Sequence, residues 1–481
     1  MGNLFSNYMR LREQSEGVPQ GVTATIKLQR KDGSREFAPF VIDKDNHPNL
    51  ARIVSAFLNS DKVPIGYTTL DKNKGEVAPQ LKKKSLWLTG GAVRDHLLGK
   101  TIKNFDLVTD ATASEIKMIL QHAGFLEAGS ESGQMARSRN RFFYPTRSDK
   151  KGKPVEYVAT VNGQPFHIST LSKSPKSRFA QPDEAQTATS IEEDAANRDF
   201  TINAMYIPLT NDDGPNSELI DVFGGANHLR SGELKAIGEK FDDRLKEDPG
   251  TALRALNQHS VYGDGEFPEK YMKSIKDADL SSCGKDRLRS MFVSGIEHPD
   301  CNPRKFVKLY SKAGVLGHMF PDMDVDEEMP EDMRNDRWMV TAKLLGKHNP
   351  DDVKQTLCDM GWSAPEGRDV AYLVKLNKWA ANKFDPSSFN DLYDSHTGLT
   401  KNKIRDFMIV TKSHAPQVDD FLTYEAGDLM PYQKDGLGIR SVNPLYTKFL
   451  GRTPRGEEFD AVRKKLMLNR WMDMQNQDHE I

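Results

Sequence analysis

From Ser85 to Pro208 short apolar runs alternate with stretches whose apolar residues recur at i, i+3 and i+4. Beyond Lys240 the helical period takes over and strand signals nearly vanish. "SLWLTGG" predicts a strand running into a turn, and "NFDLVTDA" a second strand. Thr112 is placed to cap a helix over "ASEIKMILQHAG", which Gly124 stops. In "EYVATVNGQPFHIST" two alternating runs flank Asn162-Gly163, a pair that accepts the left-handed backbone of a tight hairpin turn. The polar stretch Leu171 to Ala196 predicts a long loop. Helices are expected in "DPGTALRALNQHS", "RKFVKLYSKAGVLGHMF", "RWMVTAKLLGK" and "AYLVKLNKWAANKF". Ahead of all this, "TATIKLQRKDG" reads as a hairpin arm, and Asn49 to Asn59 as a helix with Asn49 as its N-cap. The polar "LDKNKGEVAPQLKKK" reads as a linker. The pattern gives a small α/β head followed by a long all-α body, an α+β chain.

A length of 481 residues calls for roughly two to four domains. No apolar run approaches the ~18 residues of a membrane helix. The opening "MGNLFS" fits the short myristoylation pattern, which is common by chance, and no secretory segment follows. A cytoplasmic protein without a membrane partner is expected. Net charge is −2, so any nucleic-acid binding must come from local basic faces. Cys283, Cys301 and Cys358 form no CxxC or Cys/His pattern, which argues for reduced thiols and against a zinc site.

Candidate chemistry concentrates in "LWLTGGAVRDHLLGKTIKNFDLVTDA". A Gly-Gly turn after a strand lets backbone N–H groups approach a phosphate, and Arg94 adds a cationic fork. Alone, "GGAVRD" is a weak signal, since such turns commonly serve only tight packing. Asp110 reads as a near-cap residue rather than a catalytic one. His96, His228 and His318 read as packing or surface residues, and the Met-rich "MFPDMDVDEEMPEDM" as a junction between helices.

The order "GGAVRDHLLGKTIKNFDLVTDAT", "FHISTL", "NRDFTINAMY", "DVFGGANHL" and "EDPGTALRALN" resembles the head and neck of class II nucleotidyltransferases, the superfamily of tRNA CCA-adding enzymes and bacterial poly(A) polymerases. "SSCGKDRLRSMF" and "AGVLGHMFPDM" extend the likeness, which runs from Leu86 to Asp322 and more weakly to the C-terminus. It implies a mixed-sheet nucleotidyltransferase head at 81–225, a helical neck at 226–330, and a helical body with a basic tail at 331–481. Residues 1–80 are an extension outside it.

Carried over by position, the resemblance implies that Gly90, Gly91 and Arg94 hold a triphosphate. Asn104 and Asp106 stand at the family's D-x-D metal pair, with Asp106 as the catalytic carboxylate and Asn104 assisting. His167 falls where a third acidic residue is usual. Arg198, Asp199 and Asn203 contact the ribose and brace the site, Asp248 reads the base edge, and Arg254 approaches the nucleotide. In the tail, Lys448, Arg452, Arg455 and Lys464 lie where the family cradles RNA.

The chain departs from the pattern at Asn104, at Asn197 (first Arg of a doubled "RRD"), at His167, and at Thr251, the arginine position of "E-D-x-x-R". Mg²⁺ is the implied cofactor, bound mainly by oxygen ligands; the imidazole makes Mn²⁺ the alternative. Thr251 has one hydroxyl where the family has a planar fork of donors, which argues against a strict C-C-A programme. The expectation is therefore a template-independent RNA nucleotidyltransferase adding nucleotides from ATP or CTP to the 3′ end of tRNA or another RNA. The alternative is a catalytically inactive relative that acts as an RNA- or nucleotide-binding module.

Overall fold

The computed structural model describes residues 40, 42, 46–65, 79–102, 104–128, 141–148, 154–173, 188–209, 219–238, 241–385, 392, 397–427, 461, 468 and 472. The expected hairpin arm, most of the linker and the four tail cations Lys448, Arg452, Arg455 and Lys464 lie outside these residues. Two compact units emerge. One comprises Met1–Thr251 with Tyr262–Pro268, the other Ala252–Val261 with Glu269–Ile481.

The first unit is built on an eight-stranded sheet: β1 (Leu86–Thr89), β2 (Phe105–Thr109), β3 (Leu126–Glu127), β4 (Arg141–Ser148), β5 (Pro154–Val161), β6 (Gln164–Thr170), β7 (Met205–Pro208) and β8 (Ile220–Asp221). Their spatial order is β3-β4-β5-β6-β2-β1-β7-β8. The β2–β6 and β3–β4 pairs are parallel and the others antiparallel, so the sheet is mixed. Leu86, Leu88, Phe105, Leu107, Phe166, Ile168 and Ile207 are at most 1% exposed. Their period-2 spacing fixes which residues of the same strands face the other side, because a one-residue slip would exchange the two sets. Among the described residues both outermost strands are two residues long, and the β4–β5 ladder shifts register around Pro145 and Arg147.

The local signals explain the connections. Asn162 and Gly163 take φ of 50° and 81°, the left-handed backbone of the expected β5–β6 hairpin. Thr112 and Glu115 form a complete capping box on the helix Ala113–His122, and Gly124 follows with φ of 82°. The helix Pro48–Leu58 starts one residue earlier than its expected cap: Pro48 occupies the first turn, where its fixed φ is tolerated, and His47 is the N-cap, left-handed at φ 60°. Asn49 instead reaches the hairpin, donating to Gln164 and accepting from Asn162 at 2.9 Å each. The end of the long expected loop is also regular. Ser190 caps a helix over Ile191–Ala196, and Asn197 closes it, its amide donating to the Glu193 and Ser172 carbonyls.

The second unit is helical. Its helices begin on side-chain caps in several places, among them Asn302, Asp336, Asn349, Ser363 and Thr400. Phe292, Phe306, Tyr310 and Phe320 are fully or nearly fully buried and meet in stacked, tilted and edge-on pairs, an aromatic core for its first helices. Among the described residues no helix is long and apolar enough to cross a membrane.

Candidate active site

Gly90 joins β1 to the helix Gly91–Leu97 with φ of 67° and ψ of −133°, a backbone that side chains other than hydrogen strain to adopt. A Cβ there would also lie 3.2 Å from Asp106 Oδ2, so the turn passes directly against the carboxylate. A Cβ on Gly91 would sit 3.3 Å from Arg94 Nη2. The two glycines thus let backbone N–H groups, a carboxylate and a guanidinium crowd into one place.

Among the described residues Arg94 has no carboxylate partner. Its Nη1 donates to Asn203 Oδ1 and its guanidinium lies 4.8 Å from the Tyr262 ring centre. Its Nε is buried with no hydrogen-bond partner. Asn203, 9% exposed, donates in turn to Asp199 Oδ1 at 2.7 Å, which also accepts from the Phe200 N–H. Arg94, Asn203 and Asp199 therefore form one relay. The one-turn helix Thr201–Asn203 that carries Asn203 is held by packing: a Cβ on Gly225 would collide with the Thr201 carbonyl, and Asp221 fixes that glycine by accepting from the Gly225 and Ala226 N–H groups. The "DVFGGANHL" motif acts on the fold in this way.

Arg198 is placed differently. Its Nε and Nη2 both donate to Asp194 Oδ2, at 3.2 and 3.0 Å, and Asp194 is fully buried. The Tyr206 hydroxyl donates to the same oxygen at 2.8 Å, and the Ser172 N–H to the other. Burial pushes the Tyr206 phenol well above its ordinary range, so it stays a donor. Asp248, 5% exposed, accepts from the Gly250 N–H at the start of the helix Gly250–Tyr262, and buried Thr251 donates its N–H to the Asp248 carbonyl. Arg254 belongs to the second unit. Asp110 accepts from the Ser85 N–H at 2.8 Å, a strand-end anchor; burial, its largest influence, raises its pKa.

Across the sheet, Tyr206, Thr89, Asp106 and His167 are register partners on β7, β1, β2 and β6, so all four side chains share a face. Asn104 precedes β2 and is exposed; Asp106 is half-buried. His167 Nδ1 lies 3.2 Å from Glu156 Oε1, and Thr146 Oγ1 donates to that same oxygen at 3.0 Å. Tyr262, Asp194 and Glu156 were not singled out by the sequence pattern. Asp194 carried a usable signal, since it lies four residues before Arg198 next to a helix end; the other two meet the site only through tertiary pairing.

Among the described residues no three His, Cys, Asp or Glu side chains gather into a metal-binding group. The donors that do fit a divalent ion are the Asp106 carboxylate, the His167 imidazole and the Asn104 amide oxygen. Beside them Thr89 Oγ1 is buried without a hydrogen-bond partner, an unmet polar atom in the same row. This set suits one ion whose remaining ligands come from phosphate and water.

The Poly A polymerase head domain matches residues 86–235. A CCA-adding enzyme from Latilactobacillus sakei is 29% identical over 395 residues, 80% of this chain and 90% of that protein. Poly(A) polymerase I from Escherichia coli O6:H1 is 31% identical over 250 residues, 51% of this chain and 48% of that protein. In structure, the Thermotoga maritima CCA-adding enzyme complexed with tRNA superposes with a TM-score of 0.52 at 18% identity, covering 89% of this chain and 92% of that one. A CCA-adding enzyme complex with CTP superposes at 0.54 and 17% identity, over the same 89% and 92%. The matched head makes residues 86–235 a Poly A polymerase head domain of the class II nucleotidyltransferase type, and the chain as a whole shares the fold of the CCA-adding enzymes.

Proposed function

We propose that the protein is a template-independent RNA nucleotidyltransferase that takes ATP or CTP, extends an RNA 3′ end such as that of tRNA, and releases pyrophosphate. The observation that carries this reading is the Gly90 turn lying against the Asp106 carboxylate, with the unneutralised Arg94 guanidinium alongside. The relatives named as CCA-adding enzymes and poly(A) polymerases support it.

In this reading the backbone N–H groups at Gly90 and Gly91 and the guanidinium of Arg94 hold the triphosphate. Asn203 and Asp199 orient Arg94 and face the ribose, and Asp194 holds Arg198 as a brace. Asp106, with Asn104 and His167, holds a divalent cation, Mg²⁺ or Mn²⁺. When bound, such an ion eases loss of the 3′-hydroxyl proton and neutralises charge on the triphosphate. The RNA 3′-oxygen bonds to the α-phosphorus as the bond to pyrophosphate breaks, so the chain's own task is positioning. Asp248 serves the base, while Thr251 leaves selection looser than a strict C-C-A order, a change that a transferase favouring ATP survives more easily. The basic tail, Lys448, Arg452, Arg455 and Lys464, with Arg254, serves RNA and nucleotide.

A second reading, a catalytically silent RNA- or nucleotide-binding relative, is favoured by the neutral Asn104 and by the carboxylate count of the row, where Asp106 is the lone acid. Labelled ATP or CTP incubated with tRNA lacking its 3′ end, in Mg²⁺ and in Mn²⁺, separates the two. Incorporation by the wild-type chain supports the transferase. Incorporation by Asn104→Asp alone supports the silent relative. Incorporation by neither removes the transferase reading.

A further inference from the structure

We infer that Glu156 is a positioning residue that turns His167 into a nitrogen ligand beside Asp106, giving this site a preference for Mn²⁺ over Mg²⁺. The inference rests on the proposed metal-dependent reading of the Asp106 site. Its geometry is a row across three adjacent strands. His167 on β6 is the register partner of Asp106 on β2 and of Val158 on β5. Glu156 lies two residues before Val158, hence on the same face and within diagonal reach of a long side chain.

A neutral imidazole has one N–H and one lone pair, and the partner of one nitrogen decides which is which. At 3.2 Å the Glu156 carboxylate accepts from Nδ1–H, which leaves the lone pair on Nε2. Thr146 Oγ1, donating to the same carboxylate oxygen from β4, fixes the carboxylate in turn. A carboxylate behind a ligating histidine holds the ring's angle and raises its basicity, and losing such a partner costs about 10–100-fold in metal affinity.

The bland alternative is a sheet-surface ion pair of little consequence. Two facts weigh against it. The Glu156 side chain is only 17% exposed, less open than a solvated surface pair, and the strand neighbour of His167 is the carboxylate that Gly90 abuts. A nitrogen donor also changes which ion is preferred. Mg²⁺ takes oxygen ligands and dehydrates reluctantly, whereas Mn²⁺ lies on the series of ions that accept imidazole.

The test is Mn²⁺ binding to the full-length protein, read by loss of the free-ion electron paramagnetic resonance signal and by calorimetry, for wild type, Glu156→Ala, Glu156→Gln, His167→Asp and Asp106→Ala. Glu156→Ala is expected to weaken Mn²⁺ about 10–100-fold. Glu156→Gln, whose amide oxygen still accepts from Nδ1, is expected to recover part of that loss and serves if the alanine variant does not fold. His167→Asp should shift preference toward Mg²⁺, and adding Glu156→Ala to it should then change nothing further. If Asp106→Ala weakens Mn²⁺ while both Glu156 variants bind as wild type, the positioning role is wrong and the site reading stands. If Asp106→Ala also binds as wild type, the site reading itself fails.

Discussion

Arg94 and Arg198, on the two sides of the 199–203 turn, sit in opposite electrostatic situations. Arg94 meets a neutral amide and an aromatic face, and keeps one buried N–H without a partner. Arg198 meets a fully buried carboxylate through two N–H groups, with the Tyr206 hydroxyl on the same oxygen. A cation that is to receive a phosphate cannot already be neutralised by the fold, whereas one that braces the fold must be. The pair shows how one residue type, paired with an acid four positions away in one case and with a neutral amide in the other, is divided between structure and binding.

Four substitutions break or sharpen that contrast. Asp194→Asn should cost the most, about 3–5 kcal/mol of unfolding free energy, because it strands Arg198 beside a buried neutral group; a denaturant melt measures it. An equal loss from Arg94→Met would erase the distinction, since Arg94 has no such partner to strand. Asp106→Ala should leave the melt nearly unchanged yet lower nucleotide incorporation by roughly 100-fold or more, about 3 kcal/mol of transition-state stabilisation. Gly90→Ala should lose about 1–2 kcal/mol of stability from the left-handed backbone and should also weaken nucleotide binding; isothermal titration with the nucleotide reports the second effect.

Thr112→Ala should cost about 1 kcal/mol, far from the arginines, and so sets the scale of an ordinary local defect. It also removes a partner of Glu115. Burial raises that carboxyl, but hydrogen bonds from Lys84 and Thr112 outweigh it and hold the group below the ordinary carboxylate range. Stability from Glu115 is therefore present above that ordinary range and is lost as pH falls through the depressed value. The variant's stability deficit should shrink in melts taken below that value.

The parts of the molecule that were legible in its sequence are those decided by neighbours along the chain. Asn162-Gly163, the Thr112–Glu115 box and the Gly90 turn each need only a few consecutive residues to specify their backbone. Strand β4, "RFFYPTRS", gave no clean alternation because Pro145 and the register shifts around it interrupt the period. The His47 cap was hidden because it makes no side-chain capping bond and takes a left-handed backbone, so no capping residue type marks it in the sequence. At the candidate site the same division holds. Gly90 and Asp106 could be picked out because each sits at a fixed offset from a strand. Glu156 and Tyr262 could not, because Glu156 reaches His167 through the β5–β6 register and Tyr262 reaches Arg94 across 168 positions of chain, as their numbers show.

The strand ladder has a consequence for edge-to-edge pairing between copies of the chain. A flat strand with open amides invites a second copy to add its own strand. Among the described residues β3 covers β4 at two positions, Phe142 and Phe143, and the remainder of β4 is interrupted by a proline that has no amide hydrogen and by the kinked register that follows it. Among the described residues the opposite margin ends on a two-residue strand, a short template for a ladder. Straightening the β4 margin with Pro145→Val would create a template for self-assembly at high concentration, with the Asp106 row left as it is.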